Sequence, residues 1–478
     1  MRMPATPPSM SELIGKTGMR LDRVWRSDAG RLPPDSYLPW SKLRFRTPPD
    51  GLSHEEWWLA TKLARASARH ELPLVDKLGA SFAFSDSAYL YRMLHQVDRD
   101  AGGRIEMPPD LVGPGSRDRY LMSSLIEEAI TSSQLEGAAT SRRVAAEMLR
   151  SGRRPRDRSE EMIRNNYAGM EFLRENRDED LSSPLLLELH RILTAGTLDD
   201  ADAVGRLRLP TEQVAVVDQR DGVVVHEPPD ATALEERLGR LFAFANARDP
   251  GPRAVQPSQA DQTFLHPVVR AMLIHFMIGY EHPFVDGNGR TARALFYWSM
   301  ARSGYWMTEF LSISTIIRKA PAQYMRAYLF SETDDNDVTY FLDYHLRVIL
   351  RSVRELHGYV ARKARQMHEA ERLLGGREAN ALLNYRQRAL LAHTQRHPDT
   401  GYTIAGHRRS HNVTYETART DLLKLADLGL LDQARQGRTF VFHRPVDFDK
   451  RLGDLVRRRH GFKADVPTRD HPGKPVTP

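Results

Sequence analysis

The chain of 478 residues contains no cysteine. This absence excludes disulfide bonds, thiolate metal sites and cysteine nucleophiles, and it fits a reducing compartment. The first residues lack the apolar core of a signal peptide. The most apolar run, 271–280, is too short to cross a bilayer. We therefore expect a cytoplasmic protein that makes no contact with a membrane.

A large excess of charge of one sign is also absent. Lys and Arg number 69 against 62 Asp and Glu, which gives a net charge of +7. Apolar residues make up 41% of the chain and charged residues 27%, as in ordinary globular proteins. A chain of this length holds two or three domains, and its modest positive charge permits contact with nucleic acid without indicating it.

One segment, 281–293, reads EHPFVDGNGRTAR and contains the parts of a phosphate site. Both flanks have helical periodicity, so the Asp-Gly-Asn-Gly sequence is predicted to join two helices rather than to close a β-hairpin. Its glycines allow backbone N–H groups to converge on an anion at the start of the second helix. On spacing alone, a plain turn between two helices stays open.

The side chains of this segment suit phosphate chemistry. Arg290 and Arg293 lie one helical turn apart, and guanidinium groups bind phosphate oxygens in a bidentate manner. Asp286 is placed to hold a Mg²⁺ ion that bridges phosphates. His282 has an ordinary pKa near neutrality, which suits a general base. His275, on the apolar helix before the segment, is predicted to be structural.

The sequence HPFVDGNGRTAR resembles the signature HxFx(D/E)GNGRxxR of the Fic family of AMP transferases and matches every defined position. Many relatives have glycine where this chain has Ala292. The resemblance implies a mainly α fold and transfer of AMP from ATP to a tyrosine, serine or threonine hydroxyl of a protein, the chain itself included. Pyrophosphate would leave with Mg²⁺. The implied roles are catalytic base, His282; loop anchor, Phe284; Mg²⁺ ligand, Asp286; phosphate binding, Gly287, Asn288, Gly289, Arg290 and Arg293; and a position near adenine, Tyr324.

A second segment precedes this motif. Residues 121–136 have the periodicity of an amphipathic helix, and Gly137 suits the left-handed position after its end. A carboxylate is unfavourable at a helix C-terminus, so Glu136 is expected to have a cationic partner; a solvated acid is the alternative.

This stretch resembles the inhibitory motif (S/T)xxxE(G/N) of the Fic subclass whose inhibitory helix is N-terminal to the core. Ser132, Glu136 and Gly137 occupy its defined positions. The resemblance implies that Glu136 pairs with Arg293 and keeps this arginine from the γ-phosphate. ATP would then bind in a pose unsuited to attack by the hydroxyl.

Residues 214–226 are predicted to form a short β-hairpin closed by Asp221-Gly222. In Fic relatives a hairpin here follows a Gly-x-x-Arg element, which Gly205 and Arg208 supply, and serves as the flap that holds the target. Its open edge would take a target segment by strand addition. A surface hairpin without function is the alternative. The residues assigned to the flap are Val214, Val216, Val224 and His226.

The chain divides into four predicted regions. Residues 1–105 form an N-terminal accessory region with helices at 55–68 and 87–97, and 106–365 form the catalytic domain, with the inhibitory helix at 117–137. Within this domain Ser183 is the expected N-cap of one helix and Asp230 begins another. The remaining regions are a winged helix at 376–450 and a tail at 451–478 that is disordered toward its end.

The winged helix is predicted from three helices, 381–394, 403–409 and 414–427, and a strand-turn-strand at 433–442. DNA binding is the prediction for this region, and protein contact, including a homodimer, is the alternative. The basic residues that cluster around its third helix and wing are Arg408, Arg409, Arg419, Lys424, Arg435 and Arg438.

Two further functions stay open. The same site can remove AMP from a protein, or transfer another nucleotide or phosphocholine. In the other hypothesis, the helical domain senses ATP and the winged helix binds an operator.

Overall fold

The computed structural model describes residues 3–16, 20–27, 37–102, 114–218, 222–247, 264–305, 308, 311–375, 377–397, 400–436 and 439–461. The fold is mainly α, as predicted, with three small β-sheets in these ranges. The chain separates into two compact units, one within residues 1–106 and 114–356 and the other within 357–478. The four-region division stays a prediction. None of the described helices combines the length and apolar character that a bilayer crossing requires.

The first unit contains the following elements in chain order: α1 (Met10–Ile14), α2 (Leu21–Arg26), α3 (Trp40–Leu43), α4 (His54–Ser67), β1 (Arg69–Val75), β2 (Ser81–Ser85), α5 (Ala88–Val97), α6 (Pro114–Leu135), α7 (Arg142–Ser151), α8 (Arg158–Glu175), α9 (Ser183–Thr194), β3 (Val216–Val217), β4 (Val224–His226), α10 (Leu234–Asn246), α11 (Pro267–Glu281), α12 (Asn288–Arg302), α13 (Ile313–Lys319) and α14 (Pro321–Thr333). A further helix, α15 (Thr339–Gly375), begins in this unit and ends in the second.

Helices α11 and α12 form the centre of the first unit, and nearly all of their side chains are buried. Helix α11 is apolar around most of its circumference, which is typical of a helix enclosed by other elements. Pro267 occupies the first turn of α11, where a missing N–H costs no helical hydrogen bond. Because α11 ends at Glu281 and α12 begins at Asn288, residues 282–287 form the predicted loop between two helices.

The hairpin β1–β2 is an element that the sequence analysis missed. The strands pair antiparallel with His70 opposite Phe84, and β2 forms a parallel bridge from Ala83 to Asp337. Asp76 accepts the backbone N–H groups of Leu78 and Ala80, and this closes the turn. The hairpin joins residues of the N-terminal region to the helical core within one unit.

The helix boundaries differ from the predictions in detail. Helices α4 and α5 confirm the predicted ones, and each begins after a serine cap, Ser53 or Ser87. The prediction of Ser183 as an N-cap is wrong, because the Ser182 hydroxyl accepts the N–H of Leu185 and Ser183 is the first helical residue. Asp230 caps a short 3₁₀ turn that leads into α10.

The second unit contains α16 (Arg377–Leu382), α17 (Tyr385–Arg396), β5 (Tyr402–Thr403), α18 (Ile404–His411), α19 (Tyr415–Asp427), β6 (Asp432–Gln436), β7 (Thr439–His443) and α20 (Phe448–Gly461). The predicted helix at 381–394 is interrupted, because Asn384 caps α17 in a reciprocal arrangement with Gln387. The predicted strand-turn-strand forms β6 and β7 of a sheet of order β5-β7-β6, whose strand β5 was not predicted. Arg438 and the predicted tail from 462 lie outside the described residues.

Asp421 is the polar centre of the second unit and is 3% exposed. Its carboxylate accepts the side-chain N–H of Asn384 at 2.6 Å and two N–H groups of Arg386 at 2.7 and 3.2 Å. His407 donates to it from Nε2 at 3.2 Å. This network connects α17, α18 and α19.

Candidate active site

The loop between α11 and α12 contains two residues in the left-handed backbone region. His282 has φ 46° at the end of α11, and Gly287 has φ 83° before α12. The His282 conformation is unfavourable for a residue with a Cβ, and such strain is found most often at functional sites. Gly287 has no such cost.

The imidazole of His282 has a defined tautomer. Its Nδ1 lies 3.1 Å from the carbonyl oxygen of Gly279, which can only accept, so the proton is on Nδ1. The lone pair of the neutral ring is therefore on Nε2. Burial lowers the pKa of His282 to about 4, which keeps the ring neutral at pH 7. A neutral ring with a free Nε2 lone pair can take a proton from a hydroxyl.

Asp286 lies at the turn of the loop, with its side chain 47% exposed. Its Oδ1 accepts the N–H of Gly287 at 2.6 Å, and its Oδ2 lies 3.7 Å from Nη2 of Arg290. Among the described residues no cluster of three or more metal-ligating side chains exists. One half-exposed carboxylate fits Mg²⁺ that is shared with substrate phosphates, because this ion is commonly bound by one or two carboxylates, phosphates and water.

His190 on α9 supports the loop, and the sequence analysis did not find it. Its ring stacks on Phe284 with centroids 3.7 Å apart. Nδ1 accepts the N–H of Gly205 at 3.1 Å, so Nε2 carries the proton and donates to the carbonyl of Asp286 at 3.0 Å. Burial lowers the pKa of His190 to about 4. A single buried histidine on a helix gives no sequence signal that separates this role from core packing.

Arg208 holds the other end of the loop. It is 7% exposed and donates from Nε to the carbonyl oxygen of His282 at 2.9 Å. Its backbone N–H donates to the carbonyl of Pro283 at 2.9 Å, and its Nη2 to that of Pro229. The Gly-x-x-Arg element therefore contacts the loop directly.

Asn288 closes the loop on itself. Its Nδ2 donates to the carbonyl of Phe284 at 2.8 Å, and its Oδ1 accepts the N–H of Phe284 at 3.0 Å. The side chain is 2% exposed. Both polar atoms of the Asn288 side chain are therefore already used within the loop. The expected contact of Asn288 with a phosphate would be made by its backbone N–H, which lies in the first turn of α12 and has no helical acceptor.

Arg290 is fully buried and incompletely satisfied. Its Nη1 donates to the carbonyl of Leu193 at 2.7 Å. Its Nε and Nη2 are buried and find no hydrogen-bond acceptor among the described residues. Unsatisfied donors of a buried guanidinium are costly, and phosphate oxygens have the geometry to accept them.

Arg293 does not follow Arg290 but turns toward α6. Its Nε donates to the Ser132 hydroxyl at 2.8 Å, and its Nη2 donates to the Ser132 carbonyl at 3.1 Å and to Oε1 of Glu136 at 2.8 Å. Arg293 is 2% exposed, and the Glu136 side chain is 25% exposed. The segment 132–136 therefore occupies both of these guanidinium nitrogens.

Gly289 has a different role from Gly287. It does not have a positive φ. A Cβ at Gly289 would lie 2.2 Å from Oε1 of Glu136 and 3.0 Å from Nη1 of Arg293. The glycine therefore makes room for the carboxylate above the first turn of α12.

The carboxylate of Glu136 is held in its charged form. Burial acts to raise the pKa of Glu136, but the charge and hydrogen bond of Arg293 outweigh it, so the pKa lies below its ordinary value. Gly137 follows with φ 95°, the left-handed conformation predicted for the residue after the helix. Glu136 therefore lies between Leu135, the last residue of α6, and the left-handed Gly137.

Tyr324 lies in the core near this site. Its hydroxyl is 2.8 Å from Nε2 of His275, and 3.4 Å from the hydroxyl of Tyr328. His275 is fully buried and burial lowers its pKa well below the ordinary value, in line with a structural histidine. The expected contact of Tyr324 with adenine stays a prediction.

The predicted flap is shorter than expected. Strand β3 contains only Val216 and Val217, so Val214 lies outside it, and the turn residues 219–221 lie outside the described residues. Val216 packs against α14, whereas Val224 is 46% exposed. His226 is bound at both ring nitrogens, to the carboxylate of Glu332 at 2.7 Å and to the carbonyl of Tyr280 at 2.8 Å. It anchors the hairpin to α14 and α11.

Comparison with known proteins assigns part of the chain to a known family. The Fic/DOC family profile matches residues 180–300. "Protein adenylyltransferase Fic" of Nematostella vectensis is 30% identical over 129 residues, 27% of this chain and 25% of that protein. The Drosophila melanogaster protein of the same name is 54% identical over 126 residues, 26% of this chain and 21% of its own. The chain thus spans about a quarter of the length of these curated relatives.

Solved structures give weaker likenesses. A Fic family protein from Desulfovibrio desulfuricans superposes with a TM-score of 0.48 at 16% identity, over 76% of this chain and 98% of that one. Fic-1 from C. elegans superposes with a TM-score of 0.45 at 20% identity, over 65% and 79%. The profile match includes α9, Arg208, the hairpin and the whole loop with its HPFVDGNGRTAR sequence. The chain therefore contains a domain of the Fic/DOC family, at residues 180–300.

Proposed function

We propose that this protein is a Mg²⁺-dependent protein adenylyltransferase that is held inactive by its own helix α6. The observation that carries the proposal is the combination in one loop of a neutral imidazole and a guanidinium with unused donors. The Nε2 lone pair of His282 and the unsatisfied Nε and Nη2 of Arg290 belong to the same nine-residue stretch, 282–290, which comprises the loop and the start of α12. The names of the matched relatives support the same reaction.

In the proposed reaction a protein hydroxyl attacks the α-phosphorus of ATP. The new bond is between the hydroxyl oxygen and phosphorus, the bond from phosphorus to the β-phosphate oxygen breaks, and pyrophosphate leaves. Nε2 of His282 takes the hydroxyl proton. General base help of this kind contributes about 10²–10⁴ in rate.

The remaining groups of the loop stabilise charge. Arg290 and the first N–H groups of α12 would donate to phosphate oxygens, as such groups do in phosphate sites at helix N-termini. Asp286 is the residue that would hold Mg²⁺, which neutralises phosphate charge when bound. His190 and Arg208 fix the backbone on both sides, so that the loop keeps its shape without rearranging during the reaction.

Inhibition follows from the contact of Glu136 with Arg293. The guanidinium that would bind the outer phosphates is engaged by Glu136 and Ser132, and the carboxylate repels the negatively charged γ-phosphate. ATP would bind in a pose unsuited to attack. Removal of the carboxylate would therefore free Arg293 for the nucleotide.

The test measures AMP incorporated into the chain itself from ATP labelled in its α-phosphate, with Mg²⁺ present. Glu136→Gly should raise the rate by about 10- to 100-fold, the size of one to two lost charge-assisted contacts. Glu136→Gly combined with His282→Ala should lower this rate by about 10²–10⁴. An unchanged rate in the Glu136→Gly protein would discard the inhibitory role.

The flap is proposed to hold the target segment. Within the described residues β3 and β4 pair only with each other, and Val217, Val223 and Val224 are 39–46% exposed. Exposed apolar side chains beside an open strand edge suit strand addition.

Removal of AMP, or transfer of another nucleotide or of phosphocholine, is the alternative chemistry for this site. The acidic residue next to the turn and the complete Gly-Asn-Gly-Arg sequence favour ATP and AMP transfer. The mass added to a modified protein separates these reactions.

DNA binding by the second unit is a second proposed function, with the domain taken as a winged helix. Arg408 and Arg409 on α18 and Arg419 on α19 are exposed, as is Arg435 on the wing strand β6. Exposed arginines on a helix-turn-helix and its wing match a phosphate-contacting surface. A duplex-binding assay in which the affinity falls with rising salt supports the proposal, and a salt-independent affinity contradicts it.

A further inference from the structure

Helix α6 is held at a second point by a buried carboxylate that has no part in the contacts described so far. Glu128 lies eight residues before Glu136 and four before Ser132, so the three residues follow one face of the helix. Glu128 is 2% exposed. Glutamate is seldom buried to this degree without partners.

The partners of Glu128 lie at the start of α13. The Ser314 hydroxyl donates to Oε1 at 2.5 Å, and the Ser314 backbone N–H donates to Oε2 at 3.2 Å. The Ser312 hydroxyl donates to Oε2 at 2.9 Å, and it also lies 3.2 Å from the hydroxyl of Thr131. Three donors to one buried carboxylate make a tight, charge-assisted connection between α6 and α13.

The polar contacts that this part of α6 makes with α7 and α8 are weaker. Asn166 donates to the carbonyl of Ala129 at 3.2 Å, and the Ser133 hydroxyl to that of Met162 at 3.2 Å. Both are neutral bonds to α8. The adjacent Glu127 forms an ion pair with Arg142, whose side chain is 71% exposed, and exposed ion pairs contribute little.

Glu128 and Glu136 therefore mark the two ends of one stripe. At one end Glu128 is fixed to α13, and at the other Ser132 and Glu136 hold Arg293 of α12. Residues 128–135 form about 12 Å of rigid helix, and Glu136 follows directly. The position of Glu128 therefore determines that of Glu136.

We infer that Glu128 is a positioning residue of the inhibitory helix, which it holds in the register that brings the Glu136 carboxylate to Arg293. The inference rests on the proposed inhibitory role of Glu136. Inhibition then also depends on Ser312 and Ser314, the partners of Glu128, which lie outside both the catalytic motif and the inhibitory motif. Release of α6 from α13 would then free Arg293 without any change at Glu136.

The test removes the contact from each side with Glu128→Ala and Ser314→Ala, and uses Glu127→Ala as the matched control on the same helix. AMP incorporation is measured for each variant in the wild-type and the Glu136→Gly backgrounds. Both test variants should raise the rate about tenfold in the wild-type background, as expected for a lost buried charge-assisted bond. Neither should raise it in the Glu136→Gly background, and Glu127→Ala should leave both rates unchanged.

Amide hydrogen exchange supplies a readout that needs no AMP transfer. Exchange at 124–135 should be faster in both test variants, while that of α12 stays unchanged. If Glu136→Gly transfers no AMP, the proposed function fails and exchange alone decides the inference. If Glu128→Ala also exposes α12, the milder Ser314→Ala decides.

Unchanged exchange at 124–135 would overturn the inference. So would an equal rise of the rate in both backgrounds, or a rate at or below wild type in both variants. A purely stabilising role for Glu128 predicts the last of these results.

Discussion

Two buried charges, Arg290 in the first unit and Asp421 in the second, are satisfied to very different degrees. Asp421 accepts four hydrogen bonds from Asn384, Arg386 and His407. Arg290 donates one, and its Nε and Nη2 find no acceptor in the described part of the chain. A satisfied buried charge belongs to the scaffold, whereas an unsatisfied one costs stability and indicates a ligand.

The largest expected effect is on AMP transfer, and it distinguishes substitution of His282 in the first unit from substitution of His407 in the second. His282→Ala, made in the Glu136→Gly background, should lower AMP transfer by about 10²–10⁴ because the base is lost, with little change in thermal stability. His407→Ala should leave transfer unchanged and destabilise the second unit, since it removes a donor from Asp421. Transfer rates and thermal unfolding curves are measured for both variants. Lower stability with normal transfer in the His282 variant, or lower transfer with normal stability in the His407 variant, would contradict this assignment.

The next effect separates two arginines. Arg290→Met should lower transfer at least about a hundredfold, because a phosphate contact is lost, while the free energy of unfolding stays unchanged or rises by about 1 kcal/mol. Arg386→Met should lower that free energy by about 2–3 kcal/mol, because Asp421 stays buried with fewer partners.

Denaturant unfolding of the two arginine variants, with transfer assays in the Glu136→Gly background, measures both quantities. A marked loss of stability in the Arg290→Met protein would show that Arg290 is a scaffold charge. Full activity of that protein would exclude Arg290 from phosphate binding.

The pH dependence of the site follows from the lowered pKa of His282, about 4, which burial causes. The neutral, active form is present above this pKa and is lost as pH falls through it. In the Glu136→Gly protein, kcat/KM should be flat between about pH 6 and 8 and fall only below about pH 5. Loss of Glu136 removes a negative charge that raises the pKa of His282, so the fall cannot move to higher pH through this change. An acid limb near pH 6.5 would contradict the buried, neutral imidazole.

The smallest expected effect concerns exposed charges, which belong to neither class of buried group. Arg408→Gln or Arg435→Gln should weaken duplex DNA binding modestly and reduce the salt dependence by about one counterion per lost contact. Lys450→Gln, an exposed change of the same charge on α20, outside the helix-turn-helix and the wing, serves as the control. An unchanged slope in both arginine variants would argue for protein contact by this unit.

Local sequence patterns predicted the elements with strong signals. Apolar periodicity and the Asp-Gly-Asn-Gly sequence indicated two helices with a loop between them, and α11 and α12 confirm this. Gly137 was predicted to be left-handed and has φ 95°. The hairpin β1–β2 was missed because its stability depends partly on pairing of Ala83 with Asp337, more than 250 residues away.

Side-chain partners were harder to predict than elements. Arg290 and Arg293 are three positions apart, which predicted that both lie on one face of the helix. In the structure the two guanidinium groups diverge, one toward Leu193 and the other toward Ser132. Their partners lie on α9 and α6, so tertiary packing rather than helical spacing decides their direction. The same holds for His190, whose role depends on Asp286 and on no neighbour in sequence.

The most direct measurement compares ATP labelled in the α-phosphate with ATP labelled in the γ-phosphate, incubated with Mg²⁺ and the Glu136→Gly protein. Stable protein-bound label is expected from the α-phosphate alone, and its rate of incorporation should fall by about 10²–10⁴ when His282→Ala is added. Label from the γ-phosphate, or α-label incorporated at an unchanged rate in the His282→Ala protein, would contradict an imidazole-assisted transfer of AMP at this loop.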